Sequence, residues 1–116
     1  MKQAKPIKNG KPRVFWVVSS VDARKGGART RPWAYWENLE AAKDYVFNGW
    51  SDAEFFYESG YYTHVVIEAH MLNHPLSTYM KKHDQYWFKL FKTKSGKVKI
   101  MNCPRPKRFH NVIGFH

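Results

Sequence analysis

One uninterrupted apolar run constrains the fold of this 116-residue chain more than any other feature. Residues 13–19, RVFWVVS, are rich in β-branched and aromatic side chains and do not alternate with polar ones. Such a run predicts a β-strand that is buried on both faces, in the interior of a sheet. Residues 61–70, YYTHVVIEAH, predict a second strand, with the odd-numbered residues on one face and the even-numbered residues on the other.

Helical signals lie between these two strands. Asn38 is a favourable N-cap, and apolar residues recur at helical spacing over 39–46, which predicts the main helix of the fold. A capping-box pattern at 51–54 predicts a short second helix or turn that ends before Gly60. Residues 32–36, which precede the main helix, predict a further short strand.

The last third of the chain predicts a β-hairpin. Residues 85–93 and 97–101 have strand character, and the three residues between them end in Gly96, where the turn needs a positive φ. Together the elements predict an α+β domain with a small, mostly antiparallel sheet of three to five strands and one main helix packed on one face. A chain of this length has room for one core, so we expect a single domain over 13–116, preceded by a basic, flexible arm at 1–12.

Charge is sorted along the chain. Residues 1–32 carry a net charge of +8, residues 33–84 carry −5 and residues 85–116 carry +8, within a total of +11. An excess concentrated in separate segments sets up an oriented field that attracts a polyanion. We therefore expect the partner to be a nucleic acid, either DNA or RNA, or an acidic protein surface.

The arm itself allows two interpretations. Its four lysines recur at every third residue, so a polyproline II conformation would place them along one side. Either they belong to a solvated tail, or they form an electrostatic arm that orders on a phosphate backbone. The lysines concerned are Lys2, Lys5, Lys8 and Lys11.

Three further segments supply the remaining candidate nucleic-acid-binding residues. Aromatic rings and lysines share one face of the predicted hairpin, and this combination suits single-stranded nucleic acid because rings stack on bases while cations contact phosphates. The alternative is that the rings form ordinary core and the lysines protect an edge strand. The candidates are Arg24, Lys25, Arg29 and Arg31 in the first loop, then Trp87, Lys89, Phe91, Lys92, Lys94, Lys97 and Lys99 in the hairpin, with Trp87 or Phe91 available to stack, and Arg105, Lys107 and Arg108 in the tail.

Catalytic and metal-binding signals are weak. His64, Glu68 and His70 fall on one predicted strand face, but the Cα atoms of His64 and His70 would lie about 20 Å apart along a regular strand, too far to share a metal. Cys103 has basic neighbours that favour a lower thiol pKa, yet no catalytic partner is identifiable. No recognised catalytic motif occurs, so we expect a non-catalytic protein with no cofactor and no metal.

The acidic middle segment also allows two interpretations. Asp52, Glu54 and Glu58 lie beside three aromatic residues at 55–57. Either this is a solvated helix face whose rings point inward, or the rings and their acidic rim form a protein-docking patch.

Cysteine content and hydropathy indicate the compartment. Cys103 is the only cysteine, which excludes an intramolecular disulfide and fits a reducing environment. The chain has no apolar run of the roughly 18 residues that a membrane span needs, and no hydrophobic segment follows its N-terminal lysines. We therefore expect a cytoplasmic protein that does not use a membrane.

Three segments carry a resemblance to a known group of proteins. The runs RVFWVVSSVD, WAYWENLEAAKDYV and YYTHVVIEA lie within residues 13–69. They resemble small accessory proteins of bacteriophages and prophages, which show a VFWVVS start, an aromatic–LEEA helix and a YYxxxVIE strand. The resemblance implies a phage accessory protein that acts in the host cytoplasm, and it carries over no functional residues.

Two functions are compatible with these observations. The first is non-catalytic nucleic-acid binding through the basic arm and the basic, aromatic surface of the hairpin. The second is inhibition or modulation of a host protein, in host takeover or against a host defence, with the basic face covering an acidic host surface. Salt-dependent binding of DNA or RNA separates the two, because counterion release makes phosphate binding steeply salt-dependent.

Overall fold

A computed structural model describes residues 13–24, 29–48, 53–72 and 85–106 of the chain. The predicted arm and the chain beyond residue 106 lie outside the described residues. The elements, in chain order, are β1 (Arg13–Val21), β2 (Thr30–Trp36), α1 (Leu39–Asn48), α2 (Ala53–Tyr57), β3 (His64–Leu72), β4 (Gln85–Lys92) and β5 (Val98–Asn102).

The five strands form one antiparallel sheet in the order β2-β1-β3-β4-β5. Strand β1 pairs with β2 on one side and with β3 on the other, so the continuous apolar run lies in the sheet interior, as predicted. The α+β fold predicted from the sequence is confirmed. Pro32 lies in β2, an edge strand, where a residue without a backbone N–H is tolerated.

Helix α1 begins where its N-cap was predicted. The Oδ1 atom of Asn38 accepts a hydrogen bond of 2.7 Å from the backbone N–H of Ala41, which satisfies one of the donors left open at the helix start. Ala42 and Val46, one turn apart, are buried against the sheet. The predicted short second helix is α2, whose Phe56 side chain is completely buried.

The core lies between these helices and one face of the sheet. Val18 of β1, Val65 and Ile67 of β3, and Phe88 and Leu90 of β4 all belong to this cluster of buried side chains. Burying each such side chain contributes about 1.5–3 kcal/mol relative to leaving it in water. This cluster fixes which face of every strand points outward.

A buried hydroxyl connects three elements beside this core. The indole N–H of Trp33 donates to the Ser20 Oγ atom at 2.7 Å, and that hydroxyl donates to the Phe56 carbonyl at 2.8 Å. Strands β1 and β2 are thereby tied to α2. Because both hydrogen bonds are satisfied, the buried Ser20 does not carry the cost of an unpaired polar group.

The second long strand starts later than predicted. Strand β3 begins at His64, and Tyr62 packs with the helix-side core instead of sharing a face with His64. The reason is a turn that the sequence pattern did not reveal: Glu58 and Ser59 adopt positive φ values of 49° and 54° ahead of Gly60, and the Tyr62 N–H then donates to the Tyr57 carbonyl. In the part of the chain that is described, no helix has the length and apolar character needed to cross a membrane.

Candidate nucleic-acid interface

The predicted hairpin is present as β4 and β5. The Thr93 N–H donates to the Lys97 carbonyl at 2.7 Å, and the Gly96 N–H donates to the Thr93 carbonyl at 2.9 Å. Gly96 has a φ of 91°. Glycine adopts this conformation at little energetic cost because it has no Cβ atom. The turn therefore forms where the glycine was predicted to allow it.

The two faces of the hairpin have different compositions. Phe88 and Leu90 are buried in the core, whereas the register places Lys89 opposite Met101 and Phe91 opposite Lys99 on the outer face. We call this outer surface the lysine face, and it comprises Lys89, Phe91, Lys97, Lys99 and Met101. One face of the hairpin is therefore core, and the other combines aromatic rings with lysines.

The lysines of the hairpin form no ion pair with the described residues. Residues 85–106 contain six basic residues and no acidic residue, and all five of the lysines are exposed. Within the described residues, no carboxylate lies within 4 Å of any of these lysines. Lys89 and Lys99 are diagonal neighbours across the strand pair, about 7–8 Å apart. Their positive charge is available to a ligand.

The prediction that Trp87 is available to stack on a base is wrong. Its side chain is only 5% exposed and packs against Val21 and Val66. Its indole N–H donates to the Gln85 Oε1 atom at 3.2 Å. Trp87 and Lys89 do lie on one face of β4, as predicted. However, Trp87 pairs with Val66 within β3, whereas Lys89 pairs with His64, the first residue of β3, and so lies nearer the end of the sheet. Phe91, beyond the end of β3, is the half-buried ring that remains on the lysine face.

The arginines of the first loop differ from these lysines because each contacts a group of its own chain. The Arg24 guanidinium bonds the Asp22 carboxylate at 2.8 Å and the Tyr61 carbonyl at 2.9 Å. The Arg24 hydrogen bond holds the pKa of the Asp22 carboxyl below its usual value. The guanidinium carbons of two further arginines lie over aromatic rings, Arg29 at 4.7 Å from the Tyr61 centroid and Arg31 at 4.5 Å from that of Trp33.

Both basic loops lie at the same end of the sheet. The register aligns Val21, the last residue of β1, with His64 of β3, and His64 with Lys89 of β4. Strands β4 and β5 then continue past this level to the hairpin turn. Three strand spacings, about 14 Å, separate the middle of the β1–β2 pair from the middle of the β4–β5 pair. The basic first loop and the lysine hairpin therefore point in one direction.

A buried polar network crosses the face of the sheet opposite the helices. Glu68 is its centre: one carboxylate oxygen lies 2.9 Å from the His70 Nε2 atom, and the other accepts a hydrogen bond from the Gln85 amide. The Gln85 amide oxygen accepts in turn from Trp87. Sequence alternation had placed His70 and Glu68 on one face, but the part played by Gln85 required the β3–β4 register.

This network does not amount to a metal site. The described residues contain no group of three or more His, Cys, Asp or Glu side chains arranged to hold an ion. His64 lies apart from the pair, next to Lys89, and its Nδ1 atom is 2.7 Å from the Thr63 hydroxyl. Burial, and secondarily the Lys89 charge, lower the pKa of His64.

The surroundings of Cys103 do not lower its thiol pKa, as its basic neighbours in the sequence would favour. Its thiol is half-buried, and this burial raises its pKa, which the nearby Lys89 charge only partly opposes. Desolvation of the thiolate is the larger of the two effects. Cys103 packs against the small cluster formed by Val21, Val66 and Trp87.

The acidic helix matches the solvated-face interpretation. Phe56 is fully buried, and Phe55 and Tyr57 are partly buried against the core, while Glu54 is exposed. The rings that would anchor a protein partner are therefore engaged within the domain.

The predicted site residues of the tail and the arm differ in what the structure shows of them. Arg105 is described and is half-buried beside the hairpin. Seven others lie outside the described residues, so their predicted roles stay predictions: Lys2, Lys5, Lys8, Lys11, Lys25, Lys107 and Arg108.

Comparisons with protein-family models, with curated proteins and with solved structures found no match. The resemblance to phage accessory proteins therefore stays a prediction. The lysine face and the charges around it are the features of the described residues that bear on function.

Proposed function

We propose that the protein is a non-catalytic nucleic-acid-binding protein that contacts phosphates through the lysine face and turn of the β4–β5 hairpin. The observation that carries this proposal is the charge of the hairpin, which has exposed lysines and no acidic residue over 85–106. A folded, positively charged surface attracts a polyanion without needing to order a flexible segment first.

The hairpin provides cations from both strands and from the turn. Lys89 and Lys92 come from β4, Lys99 from β5, and Lys94 and Lys97 from the turn and its border. Phe91 lies among them and offers an apolar surface to a base. Counterion release from about six phosphate contacts would make the affinity fall about a thousandfold between 50 and 200 mM salt.

The test is a titration of labelled single-stranded DNA, RNA and duplex DNA across that salt range, read by fluorescence anisotropy. We expect micromolar or tighter binding at 150 mM salt, with a steep dependence on salt concentration. The variant Lys97→Gln/Lys99→Gln removes two lysine-face charges, so we expect binding about tenfold weaker and a smaller salt slope.

A charge-matched control separates a defined surface from a general effect of net charge. The variant Arg29→Gln/Arg31→Gln also removes two positive charges, but from side chains that lie over aromatic rings of the same chain. We expect this variant to lose less than threefold in affinity. Equal losses in both variants, or no binding by the unmodified protein at 150 mM salt, would contradict the proposal.

A further inference from the structure

The β4–β5 hairpin continues past the end of β3. At this end the Leu90 N–H donates to the Thr63 carbonyl at 2.9 Å, one residue before β3 begins. Beyond that contact, among the described residues, 91–93 pair only with 97–99. We call residues 91–99 the hairpin tip, and each of its strands is about 10 Å long. Val98 packs against the core and so fixes the base of the tip.

The lysines of the hairpin tip lie on different sides of it. Lys97 and Lys99 belong to the lysine face, whereas Lys92 lies opposite Val98, on the face that carries the core residues of the hairpin. Lys94 lies in the turn between the two strands. All four lysines are exposed, and the tip contains no acidic residue. Positive charge therefore surrounds the tip instead of lining one face of it.

The turn of the tip is held in one conformation by its own hydrogen bonds. The hydroxyls of Thr93 and Ser95 lie 3.0 Å apart, and the Thr93 hydroxyl accepts from the Lys97 N–H at 3.2 Å. Apart from its chain neighbours, no described atom lies within 4 Å of the position that a Cβ atom would take at Gly96. The turn is therefore ordered and open to a ligand, and such a turn loses little conformational entropy on binding.

The dimensions of the tip match one groove of a nucleic-acid duplex. The major groove of B-form DNA, about 12 Å wide and about 8.5 Å deep, admits a two-stranded β-ribbon, whereas the minor groove is only about 6 Å wide. The major groove of an A-form RNA duplex is too narrow for side chains to enter. A ribbon that enters the B-form groove end-on has phosphates on both sides, so lysines on both of its faces find partners. A single strand on the lysine face would leave Lys92 without a phosphate.

We infer that the hairpin tip enters the major groove of B-form duplex DNA end-on. Lys92 then faces the phosphates of one DNA strand, and Lys97 and Lys99 face those of the other. The Thr93 and Ser95 hydroxyls lie nearest the base edges, where serine and threonine hydrogen-bond with little selectivity among bases. The inference rests on the proposed function and narrows its ligand class to duplex DNA.

The experiment compares a labelled 20-base-pair DNA duplex with one of its single strands and with an RNA duplex of equivalent sequence, by fluorescence anisotropy at 150 mM salt. We expect the DNA duplex to bind about tenfold more tightly than either of the others. Lys92→Gln and Lys99→Gln, on opposite faces of the tip, should each weaken duplex DNA binding about threefold and lower the salt slope by about one. Lys43→Gln is the charge-matched control, because Lys43 lies on α1 over the Tyr86 ring, and it should leave the affinity unchanged.

A second measurement uses the unmodified protein, so it does not depend on how the variants fold. Methyl green, which occupies the major groove, should displace the protein from the DNA duplex, and netropsin, which occupies the minor groove, should not. Equal binding of the three nucleic acids, displacement by netropsin alone, or an unchanged affinity in Lys92→Gln would overturn the inference while leaving the hairpin proposal intact. If none of the three nucleic acids binds, the proposed function itself fails.

Discussion

The first loop and the β4–β5 hairpin are both strongly basic, yet their charged side chains have different surroundings. In the loop, Arg24 is bonded to Asp22, and Arg31 lies 3.8 Å from Glu58. In the hairpin, Lys89, Lys97 and Lys99 stand on an exposed face whose segment contains no acid. The two segments are similarly basic in sequence, but the hairpin presents more of its charge to a ligand than the loop does.

The two regions are also held by different interactions. Polar contacts and cation–π pairs fix the arginines, whereas the hairpin is anchored by the apolar side chains on its inner face, Leu90 and Ile100 among them. A guanidinium forms several directed hydrogen bonds at once and stacks on rings, so it suits an internal structural role. Lysines on a pleated strand extend into water and keep their charge free for phosphate.

The largest effect should come from the anchor of the hairpin. Leu90 is 4% exposed, and Leu90→Ala leaves a cavity between the hairpin and the helices. We expect the free energy of unfolding to fall by about 2–5 kcal/mol, measured by urea denaturation. The exposed turn variant Lys94→Ala is the control and should change stability by less than about 0.5 kcal/mol. A loss below about 1 kcal/mol for Leu90→Ala would show that apolar packing does not hold the hairpin.

The second-largest effect should come from removing the carboxylates that pair with the arginines of the first loop. Asp22→Asn/Glu58→Gln removes the two carboxylates near Arg24 and Arg31. With these charges released about 14 Å from the lysine hairpin, we expect single-stranded DNA affinity to rise about fivefold at 150 mM salt, with a steeper salt slope. Anisotropy titration measures both quantities. Glu37→Gln/Glu40→Gln, which removes two exposed acids at the start of α1, is the charge-matched control, and an equal gain there would remove the distinction between the two regions.

The smallest effect concerns His64, the neighbour of the lysine face. Because its folded pKa lies below the ordinary value of 6.5, the unfolded chain takes up a proton first as the pH falls. The contribution of His64 to stability is therefore complete above pH 6.5 and is lost as the pH falls from there towards the folded pKa. A titration of the ring protons by nuclear magnetic resonance should place the pKa below 6.5.

Lys89→Gln tests how much of this shift the lysine face contributes. The pKa of His64 should rise in this variant but stay below its ordinary value, since burial is the larger cause of the shift. Lys94→Gln, at the far end of the turn, should leave it unchanged. A full return to the ordinary value in Lys89→Gln would mean that charge, rather than burial, sets the titration of His64.

The local sequence determined most of the secondary structure. The apolar run of β1, the Asn38 cap of α1 and Gly96 in the hairpin turn are each specified by neighbouring residues, and each prediction is confirmed. Strand alternation also separated the core residues Phe88 and Leu90 from the outer residues Lys89 and Phe91 correctly. These features depend on periodicity and backbone preference, which act over a few residues.

Only the tertiary structure decided which of the candidate residues face a ligand. Trp87 and Phe91 share a strand face, but pairing with Val66 buries Trp87, while Phe91 extends beyond the end of β3. Likewise, Arg31 meets Glu58, 27 positions away in the chain, through the packing of the loop beside the turn after α2. Burial and ion pairing depend on strand order and register, which are set by long-range contacts. The sequence alone therefore shows how much charge the protein carries, and the fold determines where that charge is available.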